Sequence, residues 1–282
     1  MSAKPFPDWV LVAFGRVWVA GVGDGVGVYD PKSGRLDRTF EVPHGQCAAM
    51  DHGFGSVWTA TCDQRGVDRI DPKTGKIIAH IAIDVPTDGE SSIGVGEGGV
   101  WALGDDSSCS ACELVRIDPD TNRISDRYSV PADGSAVRAG FGAVWITYFG
   151  SDQLVRVDPA TGEVVATINM GLGPRFFDVG EAGVWVMNQI DGSVAHVDPK
   201  INEVVATIPV DSAGIEGGDL TVGAGYVWLR GTNELVAQID PATDTVIARY
   251  GPPQGSGSAS AGGGVLWISA HDVTSLYRLP LG

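Results

Sequence analysis

An aliphatic residue followed by tryptophan recurs seven times along this 282-residue chain. The pairs are Val17-Trp18, Val57-Trp58, Val100-Trp101, Val144-Trp145, Val184-Trp185, Val227-Trp228 and Leu266-Trp267, spaced 39 to 44 residues apart. A fixed period of that length is the signature of a repeat architecture. Six of the seven are followed by Asp-Pro, at 30–31, 71–72, 118–119, 158–159, 198–199 and 240–241. A turn such as Lys-Ser-Gly or Ala-Thr-Gly comes next, and then an alternating segment such as that from Glu163 to Ile168. Each unit therefore reads as four strands: A before the Trp, B carrying it, C ending at Asp-Pro, and D after the turn. Proline ends strand C because it has no N–H for the ladder and presets the first φ of a turn.

Four-stranded units at this period predict an all-β, seven-bladed β-propeller of antiparallel blades, one domain over residues 1–282. Radial packing lets each sheet bury both apolar faces against its neighbours. The seventh unit supplies only strands A to C, from Ser256 to about Leu281, so blade 7 is expected to be incomplete. Residues 1–7 are what remains to close it, and Pro5 and Pro7 restrict them to a stub.

Composition limits the function classes. The chain carries 40 Gly and 16 Pro, yet 43% of its residues are apolar, which is the balance of a turn-rich folded protein. Its net charge of −16 repels polyanions, and no basic patch overrides that, so neither nucleic acid nor an anionic membrane is expected as a partner. A monomer is expected. No nucleotide-binding loop, Gly-x-Ser-x-Gly elbow or His-Glu-x-x-His segment occurs.

Loop lengths single out one face. The A–B and C–D turns hardly vary. The extra residues fall at Thr87–Glu90, Ser212–Glu216 and Asp105–Cys112, all in D–A or B–C connections on the opposite face, called here the top. Repeat proteins place binding functions on their variable face. The top also collects His44, Glu90, Arg175 and Glu216 before strand A, and Tyr148, Asn188, Arg230 and His271 after strand B. Counting from the hairpin turn at Glu181 and Ala182 sets Arg175 opposite Asn188, with Phe149, Phe176 and Phe177 close by. Aromatic walls with a few convergent polar groups are the usual make-up of a small-molecule site. Lining the tunnel at the height of the blade tryptophans, strand A should present Leu11, Asp51, Gly94, Arg138, Asp178, Thr221 and Ala261, with Arg138 and Asp178 placed for a structural ion pair.

Four cysteines complete the inventory. Cys47 falls opposite Cys62 across the blade 2 hairpin, and Cys109 and Cys112 share the blade 3 insertion. Two local disulfides fit this placement and imply a secreted or periplasmic protein whose leader has been removed, since residues 1–7 contain no apolar leader. Free thiols and a four-thiolate zinc site are the alternatives.

The sequence Val-Trp-Val, the run Arg-Ile-Asp-Pro-x-Thr-Gly and the strand Val-Val-Ala-Thr-Ile resemble the repeats of YVTN-type bacterial propellers and of virginiamycin B lyase-like propellers, over residues 8–282. The resemblance implies seven blades. For the lyases it also implies a pair of histidines about one blade apart beside an acidic, magnesium-linked site. One period before His271 the chain has Leu229 and Arg230, so that pair is missing here.

Two functions follow as expectations. The first is a binding propeller that holds a small molecule or a partner protein loop at the tunnel mouth, through Tyr148, Arg175, Phe176, Asn188, Glu216 and Arg230. The second is a lyase or hydrolase on the same face, with His271 or His44 as base and Glu90 or Glu216 as acid or metal ligand. No motif calls for a cofactor, and a divalent metal would sit among the His and Glu side chains of the top face.

Overall fold

The computed structural model describes residues 7–21, 25–85, 92–105 and 110–281. Seven antiparallel sheets follow one another in chain order, six of four strands and the last of three. Strand A opens each blade on the tunnel: Trp9–Ala13, Gln46–Gly53, Ile93–Gly96, Ala136–Gly140, Pro174–Gly180, Asp219–Gly223 and Ala259–Gly262. Strand A of blade 7 packs on strand A of blade 1 and so closes the ring. Among the described residues blade 7 has three strands, the last being Ser275–Pro280. The expected closing stub at Met1–Lys4 lies outside the described residues.

The recurrent tryptophans do more than fill space. All seven are buried to within 1% of full enclosure. In six blades the indole N–H also donates to the carbonyl five residues earlier, in the A–B hairpin. The acceptors are the carbonyls of Ala13, Gly53, Gly96, Gly140, Gly180 and Gly223, at 2.9–3.2 Å. Trp267 in blade 7 has no partner for its Nε1 among the described residues. In those six blades one side chain thus packs two sheets together and ties down its own hairpin.

The Asp-Pro motif has a second role as well. Each aspartate folds back on its own turn, as Asp30 accepts from the N–H groups of Lys32 and Ser33 and Asp71 from those of Lys73 and Thr74. These bonds hold the Asp30, Asp71 and Asp118 carboxyls below the ordinary carboxylate range.

The bottom face is cross-linked from blade to blade. Arg69 and Arg156 stack over Trp58 and Trp145. Their guanidinium groups then reach the next blade's C–D turn: Arg69 bonds Pro119 O and Asn122, and Arg156 bonds Pro199 O and Asn202. In blade 5 His196 replaces the arginine, stacking on Trp185 at 3.9 Å and bonding Asp244 Oδ1 at 2.8 Å.

Three registers differ from the sequence expectation, those of blades 2, 5 and 7. In blade 5 a bulge between Pro174 and Phe177 puts Pro174, and not Arg175, opposite Asn188. Bulges re-aim the side chains beside them, and this one turns Arg175 out of the ladder. In blade 7 the hairpin turns at Gly263 and Gly264, so Ser260, and not Ala261, stands level with Trp267.

The first cysteine pair is borne out, although in blade 2 the bulge sets Gln46 opposite Thr61 and so Gly45, not Cys47, beside Cys62. Cys47 and Cys62 are disulfide-bonded with Cα atoms 5.3 Å apart, despite a bulge between Gln46 and Met50. Cys112 is buried, and its expected partner Cys109 lies outside the described residues.

Candidate functional site at the tunnel mouth

Strand A side chains set the character of the tunnel. Where a blade's inner strand offers no ladder partner, a neighbouring side chain satisfies its N–H groups. Asp51 accepts from Val95 N at 2.7 Å, Asp178 from Val222 N at 2.8 Å, and Ser258 and Ser260 from Val10 N and Val12 N at 2.7 and 2.9 Å. Arg138 and Asp178 form no direct ion pair among the described residues. Arg138 instead bonds the carbonyls of Ile93 and Val137 and lies 5.9 Å from the Trp9 ring. Its charge still reaches the acids across the tunnel, opposing the upward push that burial exerts on Asp178 and Asp219. The tunnel cavity, about 270 Å³, is lined by Asp51, His52, Arg138, Asp178 and Asp219 among others.

Above it, at the top, lies a smaller cavity of about 100 Å³. Blade 5 contributes Arg175, Phe176 and Gln189, blade 6 Gly217 to Asp219, blade 7 Ser256 to Ser258 and His271, and blade 1 Asp8 and Trp9. Trp9 and Asp219 line both cavities, so the mouth and the tunnel meet at those two side chains.

Local structure explains how these residues arrive there. The 3₁₀ turn His271–Val273 follows strand B of blade 7 and lifts His271 to the rim. Its Nδ1 sits 3.1 Å from Asp272 Oδ1, and Asp272 in turn accepts from Ser256 N at 2.8 Å. The Ser256 hydroxyl accepts from Gly218 N at 2.8 Å, which joins blades 6 and 7. Gly218 has φ +84°, and a Cβ there would overlap the Arg230 carbonyl oxygen, so only glycine lets the chain pass this close. Gln189 Nε2 donates to Gly217 O at 3.2 Å. Arg175 lies over the Phe176 ring at 5.2 Å.

Asp219 is the chemically distinctive group. It is buried, its Oδ1 has no hydrogen-bond partner among the described residues, and burial pushes its carboxyl up to about 7, against the pull of Arg138. Asp8, which also lines the cavity, is raised by burial as well, with His271 lowering it in part. The mouth therefore holds two carboxyls that burial pushes upward, Asp219 to about 7.

The sequence-derived candidates divide clearly. Arg175, Phe176 and His271 meet in this one cavity. Asn188 is fully buried below it, its amide donating to Ser193 Oγ at 2.9 Å. Arg230 is fully buried and bonds the carbonyls of Ser269, Gly231, Glu234 and Gln254, an internal brace between blades 6 and 7. Tyr148 packs in the core between blades 3 and 4, and burial raises its phenol. Glu216 is exposed beside the mouth and does not line it. His44 lies in blade 2 against Asp68 and His80. Glu90 lies outside the described residues. Sequence reasoning missed Asp219, Asp8 and Gln189. For Asp219 a signal existed: it is an acid at the first position of a strand A, where blades 3, 4 and 7 have Ile93, Ala136 and Ala259.

The fold and this site define a seven-bladed propeller with a polar, carboxyl-bearing pocket at the top of its tunnel. No protein-family model and no curated protein matches the sequence. Among solved structures the chain is similar to a streptogramin B lyase, with a TM-score of 0.82 and 16% identity over all of this chain and 96% of that one. It is likewise similar to virginiamycin B lyase from Staphylococcus aureus, at 0.79 and 18% over all of this chain and 98% of the other. A computationally designed protein, Ika8, superposes at 0.72 with 11% identity. The chain thus has the virginiamycin B lyase-like propeller fold that its repeat motifs implied.

Proposed function

We propose that this propeller binds a polar small molecule at the tunnel mouth. The observation that carries the reading is the buried, unpartnered Asp219 Oδ1 at the floor of a cavity walled by side chains from four blades. A buried carboxyl oxygen left without a partner is costly unless one arrives. Trp9 and Phe176 would supply the apolar wall, Arg175, Gln189 and His271 the orienting groups, and Asp219 the acceptor for a donor on the ligand. The test is a fragment soak of crystals of the intact protein. Density bridging Asp219 and the Trp9 and Phe176 rings supports the reading. Occupancy confined to other surfaces overturns it.

A second reading is favoured by one observation, the Asp219 carboxyl at about 7 in a cavity with His271. Groups near neutrality suit proton abstraction and return, the steps of an elimination. In that reading His271, held by Asp272, and Asp219 divide the acid and base roles, and Arg175 stabilises developing negative charge. Among the described residues no cluster of three His, Cys, Asp or Glu ligand atoms forms at the mouth, so a magnesium ion is not part of this reading. Four residues beyond its tryptophan, where blade 7 has His271, blade 6 has Thr232, so a second histidine is not part of the proposal. Incubation with a streptogramin B, followed by mass spectrometry, tests it: turnover lost in both Asp219→Asn and His271→Ala supports an enzyme. The Cys47–Cys62 disulfide supports an oxidising, extracytoplasmic location for either activity.

A further inference from the structure

Blade 2 departs from the other six at one core position. The residue after the blade tryptophan pairs with a strand C residue that points into the packed interior. In the other blades that strand C residue is Gly27, Val115, Val155, Ala195, Ala237 or Tyr277, none of them charged. In blade 2 it is Asp68, completely buried, opposite Thr59. A carboxylate in a slot built for small and apolar side chains carries a desolvation cost of several kcal/mol, of order, unless positive charge compensates it.

Two imidazoles converge on it. His80, its partner on strand D (Ile77–Ala82), places Nδ1 2.7 Å from Asp68 Oδ1. His44, from the D–A loop, places Nδ1 2.8 Å from Oδ2 and 2.9 Å from Oδ1. The rings lie 4.1 Å apart, and their side chains are 20% and 24% exposed, so the cluster opens to solvent on the imidazole side only. The loop that carries His44 is fixed. Gln64 N donates to His44 O, and Cys62 N to Gly45 O, beside the Cys47–Cys62 disulfide. Gly66 clears the other ring, since a Cβ there would lie 2.8 Å from His80 Cε1.

We infer that His44, Asp68 and His80 form a binding site for a divalent first-row transition ion of the zinc class. The donors are two neutral nitrogens and one carboxylate oxygen, the set that such ions prefer over calcium or magnesium. Bonds of about 2.1 Å place neighbouring ligand atoms about 3.0–3.4 Å apart. The three donors already lie within 4.8 Å of one another, and the N–O pairs need to part by only a few tenths of an ångström. The ion's charge is what the buried Asp68 lacks in an apolar slot. The exposed side leaves room for water to complete the coordination. The site shares no residue with the tunnel mouth and stands whether or not either reading of that cavity holds.

The probe is the metal alone. Intact protein, stripped with chelator and dialysed against micromolar Zn²⁺, should retain one equivalent by elemental analysis, and Co²⁺ should give a visible ligand-field spectrum. Asp68→Val installs the residue that blades 3 and 4 carry in this slot, so the fold should survive, and Zn²⁺ affinity should fall at least ~100-fold. His80→Gln, which keeps the carboxylate, should also lose the Co²⁺ spectrum, and Zn²⁺ should raise the Tm of the wild type alone. Uptake of no zinc by the wild type, or equal uptake by a folded Asp68→Val, overturns the inference and leaves a hydrogen-bonded triad.

Discussion

Replacing Asp219 with Asn tests the electrostatics of the tunnel mouth directly. Asp219 is buried and its carboxyl is raised from 3.8 to about 7, chiefly by burial. An acid whose folded-state pKa lies above its unfolded value binds more protons when folded. It therefore costs nothing below about pH 4, and an increasing amount as pH rises toward 7. Above that the penalty is constant. Three pH units at about 1.4 kcal/mol each set a ceiling of about 4 kcal/mol. Asparagine keeps the shape and can still accept from the Leu220 and Ala259 backbone amides that now bond the carboxylate. It loses their charge-assisted strength, about 1 kcal/mol in total. The net gain at pH 8.5 is about 3 kcal/mol. With an unfolding entropy of about 2.1 cal/mol/K per residue, a 282-residue domain gains about 5 °C in Tm. Circular-dichroism melts of both proteins from pH 4 to pH 9 provide the assay. The Tm difference should be smallest at pH 4, widen from there to pH 7 and stay level above it. A difference that stays flat across the range, or favours the wild type at pH 8.5, refutes the burial argument.

Three further perturbations have definite outcomes. Trp101→Phe removes a bonded indole N–H and Trp267→Phe an unpartnered one; urea melts should show the first to be the more destabilising, by about 1 kcal/mol. Cys47→Ser with Cys62→Ser opens a disulfide across 15 residues and should cost about 3 kcal/mol of stability in denaturant titration. Reducing agent should lower the wild-type midpoint and leave the double variant unchanged. Gly218→Ala forces a side chain into φ +84° against the Arg230 carbonyl; a loss of at least about 2 kcal/mol is expected, with disordered loops at the mouth in its crystal structure.

The repeat told most of the architecture before any coordinates. Seven aliphatic-Trp pairs and six Asp-Pro turns set the blade count, the strand boundaries and the three-stranded blade 7, because strand alternation and turn chemistry are local properties written every two to four residues. Counting from the hairpin turn at Phe54 and Gly55 brought Cys47 and Cys62 together, and the disulfide forms although a bulge shifts the register between them. Near the site, local reading weakened. The bulge after Pro174 moved Arg175 out of the register that simple counting gave, and bulges answer to the packing of the next blade. Arg230 and Asn188 stand where chain order puts them, at the top end of strand B, yet both are turned inward to brace neighbouring segments. Whether a polar side chain at a strand end faces the cavity or the core depends on what the adjacent blade offers it.

Asp219 and Asp68 mark the boundary between the two kinds of information. The sequence by itself determined that an acid opens strand A of blade 6 and that another sits in strand C of blade 2. It determined their heights in the ring too, since the period fixes those. Only the tertiary structure decided that both are buried, that one faces an unpartnered gap beside Trp9, and that the other is met by imidazoles from a strand and a distant loop. Burial and charge compensation are sums over atoms brought in from several blades. A repeat of about 40 residues encodes the blade; the ring formed by all seven creates the low-dielectric spaces in which a carboxyl becomes chemistry.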